Sequence, residues 1–366
     1  MPDERTVVVD YRGTEIDRRL SHHLQGDDLH RQAPVPCRGK VVEAAFQTTV
    51  YPSEPAEEFA RRFRLASPDL CVPAESARND KLVMSQGEAH PRRIKYWVPA
   101  VDRIYAHLSI RPRAVAAVWS AAMLWGVPEF SDSADTVLFN RGGDKRVARH
   151  SLEPTLLRRD MTGLTWSTTL WDLQVRVAPP MMTALHCIRS ALLGTHRRPV
   201  PEVPGLDPDL VRAVQVADRF MHVWQIGPEE FRACASPFIA AGRLDSVLRL
   251  ADAGAESVPE TTTRLQAVTV FKGKDCAWTT QLKIRVDDRL ISVADVGCVE
   301  LKIAIFYDGE HHLKRRQRDK DFARCHEIQS AGWTVIVLTA GMLHEPERWL
   351  PDLAGYIDRI RARQVG

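Results

Sequence analysis

Apolar and polar positions along the chain predict a helix-rich middle and a strand-rich C-terminal part. Between 99 and 125 the apolar residues Val101, Ile104, Tyr105 and Leu108, then Val115, Val118, Trp119, Ala122 and Met123, recur at helical spacing. Arg111-Pro112-Arg113 separates these two helices, and Gly126-Val127-Pro128 stops the second. Further helices are predicted at 57–64, 170–177, 180–193, 208–224, 228–235, 238–253 and 259–271. Strands are predicted at 94–98 and, around the Gly142-Gly143 turn, at 136–140, 145–149 and 163–165. From 281 the period shortens to two. Strands are expected at 281–286, 290–296 and 301–307, then a helix at 317–331, a strand at 334–339 and a helix at 347–363.

The C-terminal order is therefore α-β-β-β-α-β-α. An antiparallel meander followed by a helical crossover into a further strand gives an α/β sandwich with a mixed sheet. Four segments follow from the pattern. Residues 1–98 form a polar arm and a small irregular α/β region, 99–205 an α+β middle domain, 206–255 a helical connector, and 256–366 the C-terminal sandwich. The Pro-rich stretch 195–208 is the best internal linker.

Composition excludes some classes and leaves others open. No apolar run approaches the ~20 residues that cross a bilayer. The start, MPDERTVVVDYRG, carries acids and lacks an apolar signal core. All seven cysteines are scattered without a CxxC pair, which favours a reducing compartment over a disulfide or zinc framework. A cytoplasmic protein with no membrane partner is the expectation. The net charge of +3 is too small to announce a nucleic-acid binder, so such binding must come from local patches.

The chemistry concentrates in ISVADVGCVELKIAIFYDGEHH, residues 291–312. A tight turn near 298–300 would put Asp295 opposite Ala304, on one face with Phe306 and Asp308. A lone acid on a mid-sheet strand is costly to bury without a partner or cation. Asp295 could instead cap a turn, and Asp308-Gly309 could be a simple turn signal. Two acids beside the pair His311 and His312 nevertheless make a divalent-metal site with a proton carrier, which suits phosphodiester hydrolysis. In an extended segment only one of the two His can face the metal; either could act as general base, or both could lie on the surface. Glu260 opens a helix, where the dipole alone would favour an acid. Gln281 on the first strand is a weaker candidate. Lys314, Arg315, Arg316, Arg318 and Lys320 form a basic run that is either a solvated helix face or a grip on phosphates.

Together, Ser257-x-x-Glu260-Thr261, Gln281, Asp295, Phe306-x-Asp308-Gly309-x-x-His312, Asp321-x-x-Arg324 and Gly332-Trp333-Thr334-Val335 resemble a nuclease-like family. It comprises actinobacterial proteins with a C-terminal very-short-patch-repair (Vsr-like) endonuclease domain of the PD-(D/E)xK superfamily. The resemblance covers roughly 256–345. Upstream, Trp119-Ser120-Ala121-Ala122-x-Leu124-Trp125-Gly126 and Leu170-x-Asp172-Leu173 resemble the middle of type IV abortive-infection antitoxin-like proteins, without their winged helix in 1–98. The resemblance implies a restriction-endonuclease-like α-β-β-β-α-β sandwich and a DNA endonuclease, nicking rather than cutting both strands. It implies Mg²⁺ or Mn²⁺ held at Asp295 and Asp308, with Glu260 assisting and a His past the glycine activating water. DNA is the implied partner, with a protein partner of a toxin–antitoxin or phage-defence system. Many relatives carry Glu where this chain has Phe306. The mismatch-repair endonucleases also have Ile-Phe there, and a backbone carbonyl just after it, here that of Tyr307, makes the second metal contact. The alternative implied is a nuclease-derived DNA-binding regulator that does not hydrolyse.

Overall fold

The computed structural model describes residues 8–9, 15–16, 33–37, 56–143, 145–270, 277–286, 288–308 and 315–365. It is a mixed α/β chain whose two compact units, 1–199 and 200–366, divide within the Pro-rich stretch. Among the described residues no helix is long and apolar enough to cross a membrane.

In the first unit, seven short strands form one mixed sheet in the order Glu15–Ile16, Val8–Val9, Trp166–Leu170, Leu173–Val177, Val115–Ala116, Val137–Asn140, Thr155–Arg158. The helix Ala100–Ser109 packs on Leu173–Val177 and Val115–Ala116, and Trp119–Leu124 packs on Val137–Asn140. Arg103, 1% exposed, pins the loop before the sheet. Its guanidinium donates to the carbonyls of Val98, Ala134, Ser131 and Asp132 and lies 4.0 Å from the centre of the Tyr96 ring.

Several elements here depart from the sequence expectation. The segment 170–177 is a strand rather than a helix: Trp166–Leu170 and Leu173–Val177 form a hairpin, with Trp171 at φ 53° in its two-residue turn. Leu170, Leu173 and Val177 satisfy a helical period, but Leu173, Val175 and Val177 also satisfy a period of two, and the pairing decides. Ile94, Tyr96 and Val98 are buried in alternation, yet 94–98 joins no ladder among the described residues; Arg78 binds the Tyr96 and Trp97 carbonyls instead. The 145–149 strand is reduced to one bridge, Arg146 to Leu156, and the strand expected at 163–165 begins only at Trp166. Residues Val115–Ala116 enter the sheet, which shortens the predicted second helix to Trp119–Leu124.

The second unit begins with α1 (Pro208–Trp224), α2 (Pro228–Ala235), α3 (Ala241–Leu248) and α4 (Val258–Val270). Asp207 caps α1 by accepting from the Asp209 and Leu210 amides, with Pro208 in the first turn where no amide is needed. Then follow β1 (Thr279–Val286), β2 (Arg289–Cys298), β3 (Ile303–Asp308), α5 (Arg315–Ser330), β4 (Thr334–Thr339), α6 (Ala340–His344) and α7 (Pro346–Val365). The sheet order is β1-β2-β3-β4: β1 to β3 form the expected antiparallel meander, and β4 runs parallel to β3 after the α5 crossover.

Two apolar layers cover this sheet. Val296, Cys298, Ile303, Ile305 and Leu338 pack with Ala267 of α4 and Trp349, Leu353 and Ile357 of α7. Leu282, Ile284, Ala294 and Ala304 pack with Ile328 of α5, and Phe306 joins them from the margin. A buried ion pair ties the helical layer together. Asp218, wholly buried, accepts from Arg264 Nη2 at 2.8 Å, Thr261 Oγ1 at 2.8 Å and the Asp252 amide at 2.7 Å.

Candidate functional site

The site forms where the pleat of the second unit's sheet is interrupted. Side chains two apart on a regular strand share a face. Ala294 packs on the α5 side, whereas Val296 packs on the α4 and α7 side, so the alternation breaks at Asp295. Across from it, Thr280 pairs with Val296 and Leu282 with Ala294, which brings Gln281 level with Asp295. Gln281 has φ 49°, a left-handed backbone uncommon for a residue with a side chain. Backbone outliers of this kind gather at functional sites.

The β2–β3 register differs from the expectation. Val296 faces Ile305, Gly297 faces Ala304 and Cys298 faces Ile303, so Asp295 is level with Phe306 and not with Ala304. The reason is the turn: residues 299–302 span four positions, with Lys302 at φ 48°, two more than a minimal turn needs. Gly297 is required where the strands close up. A Cβ there would collide with Leu282 Cδ2 and stand 2.8 Å from the Ile303 carbonyl oxygen.

In this register Asp295 Oδ2 accepts the Tyr307 amide at 2.6 Å. Its carboxyl is pushed up to about 6, first by burial and then by the negative charges of Glu260 and Glu256; the Tyr307 amide pulls the other way. Glu260 comes from the first turn of α4 and is held on three sides. Ser257 Oγ donates to its Oε1 at 2.8 Å, the Glu256 amide donates to Oε2 at 2.9 Å, and Gln281 Nε2 donates to Oε2 at 3.1 Å. The Glu260 amide donates back to Ser257 Oγ at 3.3 Å, much as in a capping box. Glu260 therefore caps its helix and also lies near enough for its charge to act on Asp295. Gln281 is engaged with Glu260.

The other predicted site residues are placed as follows. Asp308 ends β3 opposite Thr339, is exposed, and is not among the charges that act on Asp295. Tyr307 presents its amide to Asp295 and its ring to the α7-side apolar layer. Arg315, Arg316, Arg318 and Lys320 fall in the first half of α5. His311, His312 and Lys314 lie outside the described residues. Glu256 was not singled out in the sequence; an acid four positions before another at a helix start is the signal that could have found it. Among the described residues no three His, Cys, Asp or Glu side chains converge as a metal cage.

A second polar cluster occupies the first unit. Asp135 accepts from Tyr96 Oη at 2.7 Å, Thr155 Oγ1 at 2.6 Å, His90 Nε2 at 3.2 Å and Arg92 Nη2. Burial alone would raise its carboxyl, but the hydrogen bonds from His90, Thr155 and Tyr96 and the Arg92 charge hold it below the usual carboxylate range.

A scan against family models finds none that matches the chain, and neither the curated proteins nor the solved structures provide a match.

Proposed function

We propose that the second unit is a Mg²⁺- or Mn²⁺-dependent DNA endonuclease that nicks phosphodiesters, on a restriction-endonuclease-like sandwich of the PD-(D/E)xK type. The observation that carries this reading is the Asp295 carboxylate, anchored by one amide and raised to about 6 by burial and by Glu260 and Glu256. An acid pair held together at an interrupted pleat is a cost that a divalent cation removes. The donor set fits: Mg²⁺ is commonly held by one or two carboxylates, with water and phosphate oxygens completing the shell. When bound, the ion would stabilise charge on the phosphate and make a coordinated water more acidic.

The chain's own residues divide the remaining work. Tyr307 N–H fixes Asp295 Oδ2 and leaves Oδ1 for the ion. Ser257 and Gln281 orient Glu260, which uses three of the roughly four acceptor positions of a carboxylate and keeps one. The Tyr307 carbonyl would supply a further oxygen at the end of β3, and Asp308, exposed and not among the charges acting on Asp295, would reach the ion through water. His311 or His312, three and four positions beyond Asp308, accepts the proton from the attacking water. The run from Lys314 to Lys320 holds backbone phosphate.

A second reading rests on Phe306, whose ring packs beside Trp333 and Val335 against the α5-side layer, where many members of the resembled family carry a carboxylate. In that reading the unit binds DNA without cutting it, as a regulator or defence-system component. Supercoiled-plasmid nicking in Mg²⁺ and in Mn²⁺ separates the two. Open-circle product from the wild type and none from Asp295→Asn supports the endonuclease. Salt-dependent DNA binding by both proteins with no product from either supports the regulator.

A further inference from the structure

The first unit contains a cavity of about 410 Å³, within the range of roughly 300–1,000 Å³ typical of small-molecule sites. Its lining carries five cations, Arg92, Lys145, Arg158, Arg159 and Arg189, against the single carboxylate of Asp135. That carboxylate is already committed to Arg92, His90, Tyr96 and Thr155. Among the described residues no carboxylate pairs with Arg158, Arg189 or Lys145. A shallower hollow lined by Lys145, Arg146 and Arg149 continues the basic surface.

The cavity also holds two histidines that burial keeps neutral, with nearby positive charge adding to the effect. His186, 3.0 Å from Arg159 Nη1, is pushed down to about 4 by burial and by Arg159 and Arg189. His196 is 4% exposed and is pushed down to about 3 by burial and then by Arg198 and His90. Neither of its ring nitrogens has a partner at hydrogen-bonding geometry, although the Phe130 backbone lies near enough to raise its basicity slightly. With these histidines neutral, the lining keeps a surplus of positive charge that no anionic group in it balances. Apart from Ser190 and Thr195, the remaining walls are apolar. Trp119, its ring centre 4.7 Å from that of His196 and tilted 58° to it, lies alongside Val118, Val137, Phe139 and Leu157.

We propose that this cavity binds a free small molecule of mononucleotide size, with its phosphate on Arg158, Arg159 and Arg189 and its flat body on the Trp119 side. Arg forks suit phosphate oxygens, and the volume fits one nucleotide. A bound nucleic acid would instead require a continuous basic groove. The proposal concerns the first unit and stands whether or not the second unit cuts DNA.

The test is titration calorimetry of the full chain with AMP, GMP, adenosine, inorganic pyrophosphate and a short 5′-phosphorylated oligonucleotide, repeated with Arg158→Ala and Arg189→Ala. Both arginines are exposed, so these variants should keep the wild-type melting temperature. One-to-one binding of at least one nucleotide is expected, displaced by pyrophosphate and weakened about tenfold or more in each variant, with adenosine inert. Absence of nucleotide binding, equal binding of adenosine, or unchanged affinity in both variants overturns the proposal. So does binding confined to a 5′-phosphorylated oligonucleotide, which would assign the cavity to a DNA end.

Discussion

Asp135 in the first unit and Asp295 in the second are both partly buried acids beside a sheet, yet their carboxyls shift in opposite directions. Asp135 receives four side-chain donors, one of them a cation. Asp295 receives one backbone amide and faces two further acids. Burial penalises both charges; the supply of donors decides which is repaid. Asp218 shows that complete burial can outweigh even three donors, the Arg264 cation, Thr261 Oγ1 and the Asp252 amide. Although it is bonded to Arg264, its complete burial still raises its carboxyl to about 6. A fully satisfied acid is architecture. An acid left in deficit beside another acid is where a ligand gains most.

The largest effect expected from this contrast is on stability. Asp135→Ala strands the buried His90 and Tyr96 donors, each at a cost of about 1–3 kcal/mol, while the partly exposed Arg92 turns to solvent. Asp295→Asn keeps a polar partner near Tyr307 and removes a repelled charge, so its denaturant midpoint should match or exceed that of the wild type near neutral pH. Equal losses in the two variants would dissolve the distinction between an architectural and a functional acid.

Next in size is Gly297→Ala. A methyl group there meets the Leu282 side chain, which can move, and the Ile303 carbonyl oxygen at 2.8 Å, which cannot move without shifting β3. A cost near the upper end of the ~1–3 kcal/mol typical of overpacking is expected from urea unfolding. Because the same strands carry Asp295 and Tyr307, any residual nicking should fall with it. A variant of unchanged stability would mean that the close approach of β2 and β3 is not what fixes the site.

Much of this second region was legible in the chain. The run 281–286 alternates polar and apolar residues, those that became β2, β3 and β4 are short and rich in Val and Ile, and Thr334–Thr339 has the expected bounds. Asp295, Glu260 and Gln281 stood out as polar residues at structured positions; the fold bonds Gln281 to Glu260 and sets Gln281 level with Asp295. The register was not legible, because it depends on Lys302 adopting a left-handed backbone, and lysine carries no signal for that. The break in the pleat at Asp295 was hidden for the same reason, through Gln281. In the first unit the hairpin through Trp171-Asp172 lacks Asn-Gly or any glycine, so a helical period passed unopposed. The five-cation cavity draws its residues from across 92–189, a convergence that no local pattern announces.

pH separates the two acids by sign. Asp295 has a folded value of about 6, above the ordinary carboxyl range, so the folded state holds its proton more tightly than the unfolded chain. Its contribution to stability is therefore favourable at low pH and declines as pH rises from about 4 to 6, by about 3 kcal/mol at most. Asp135 is shifted down, so its contribution is complete above about pH 4 and is lost as pH falls further. The stability difference between wild type and Asp295→Asn should grow in the mutant's favour between pH 4 and 6 and then level off. Bound Mg²⁺ should shrink that difference by stabilising only the wild type. A difference that is flat with pH would place Asp295 among ordinary surface acids.

The smallest effect tests the backbone beneath the site. At φ 49° a residue with a Cβ carries about 1 kcal/mol of strain that glycine does not. Gln281→Gly and Gln281→Ala both remove the donor to Glu260, so the hydrogen bond cancels when the two are compared. Glycine should be the more stable by about 1 kcal/mol, against its usual disadvantage inside a strand. The same pair separates strain from positioning, because both variants should weaken Mn²⁺ binding alike, measured as the metal-induced rise in melting temperature. If alanine is as stable as glycine, Gln281 does not hold the left-handed conformation, and the interrupted pleat at Asp295 loses its cause. If stability follows the expectation while metal binding is unaffected in both, Glu260 needs no help from β1, and Ser257 with the Glu256 amide suffices to hold it.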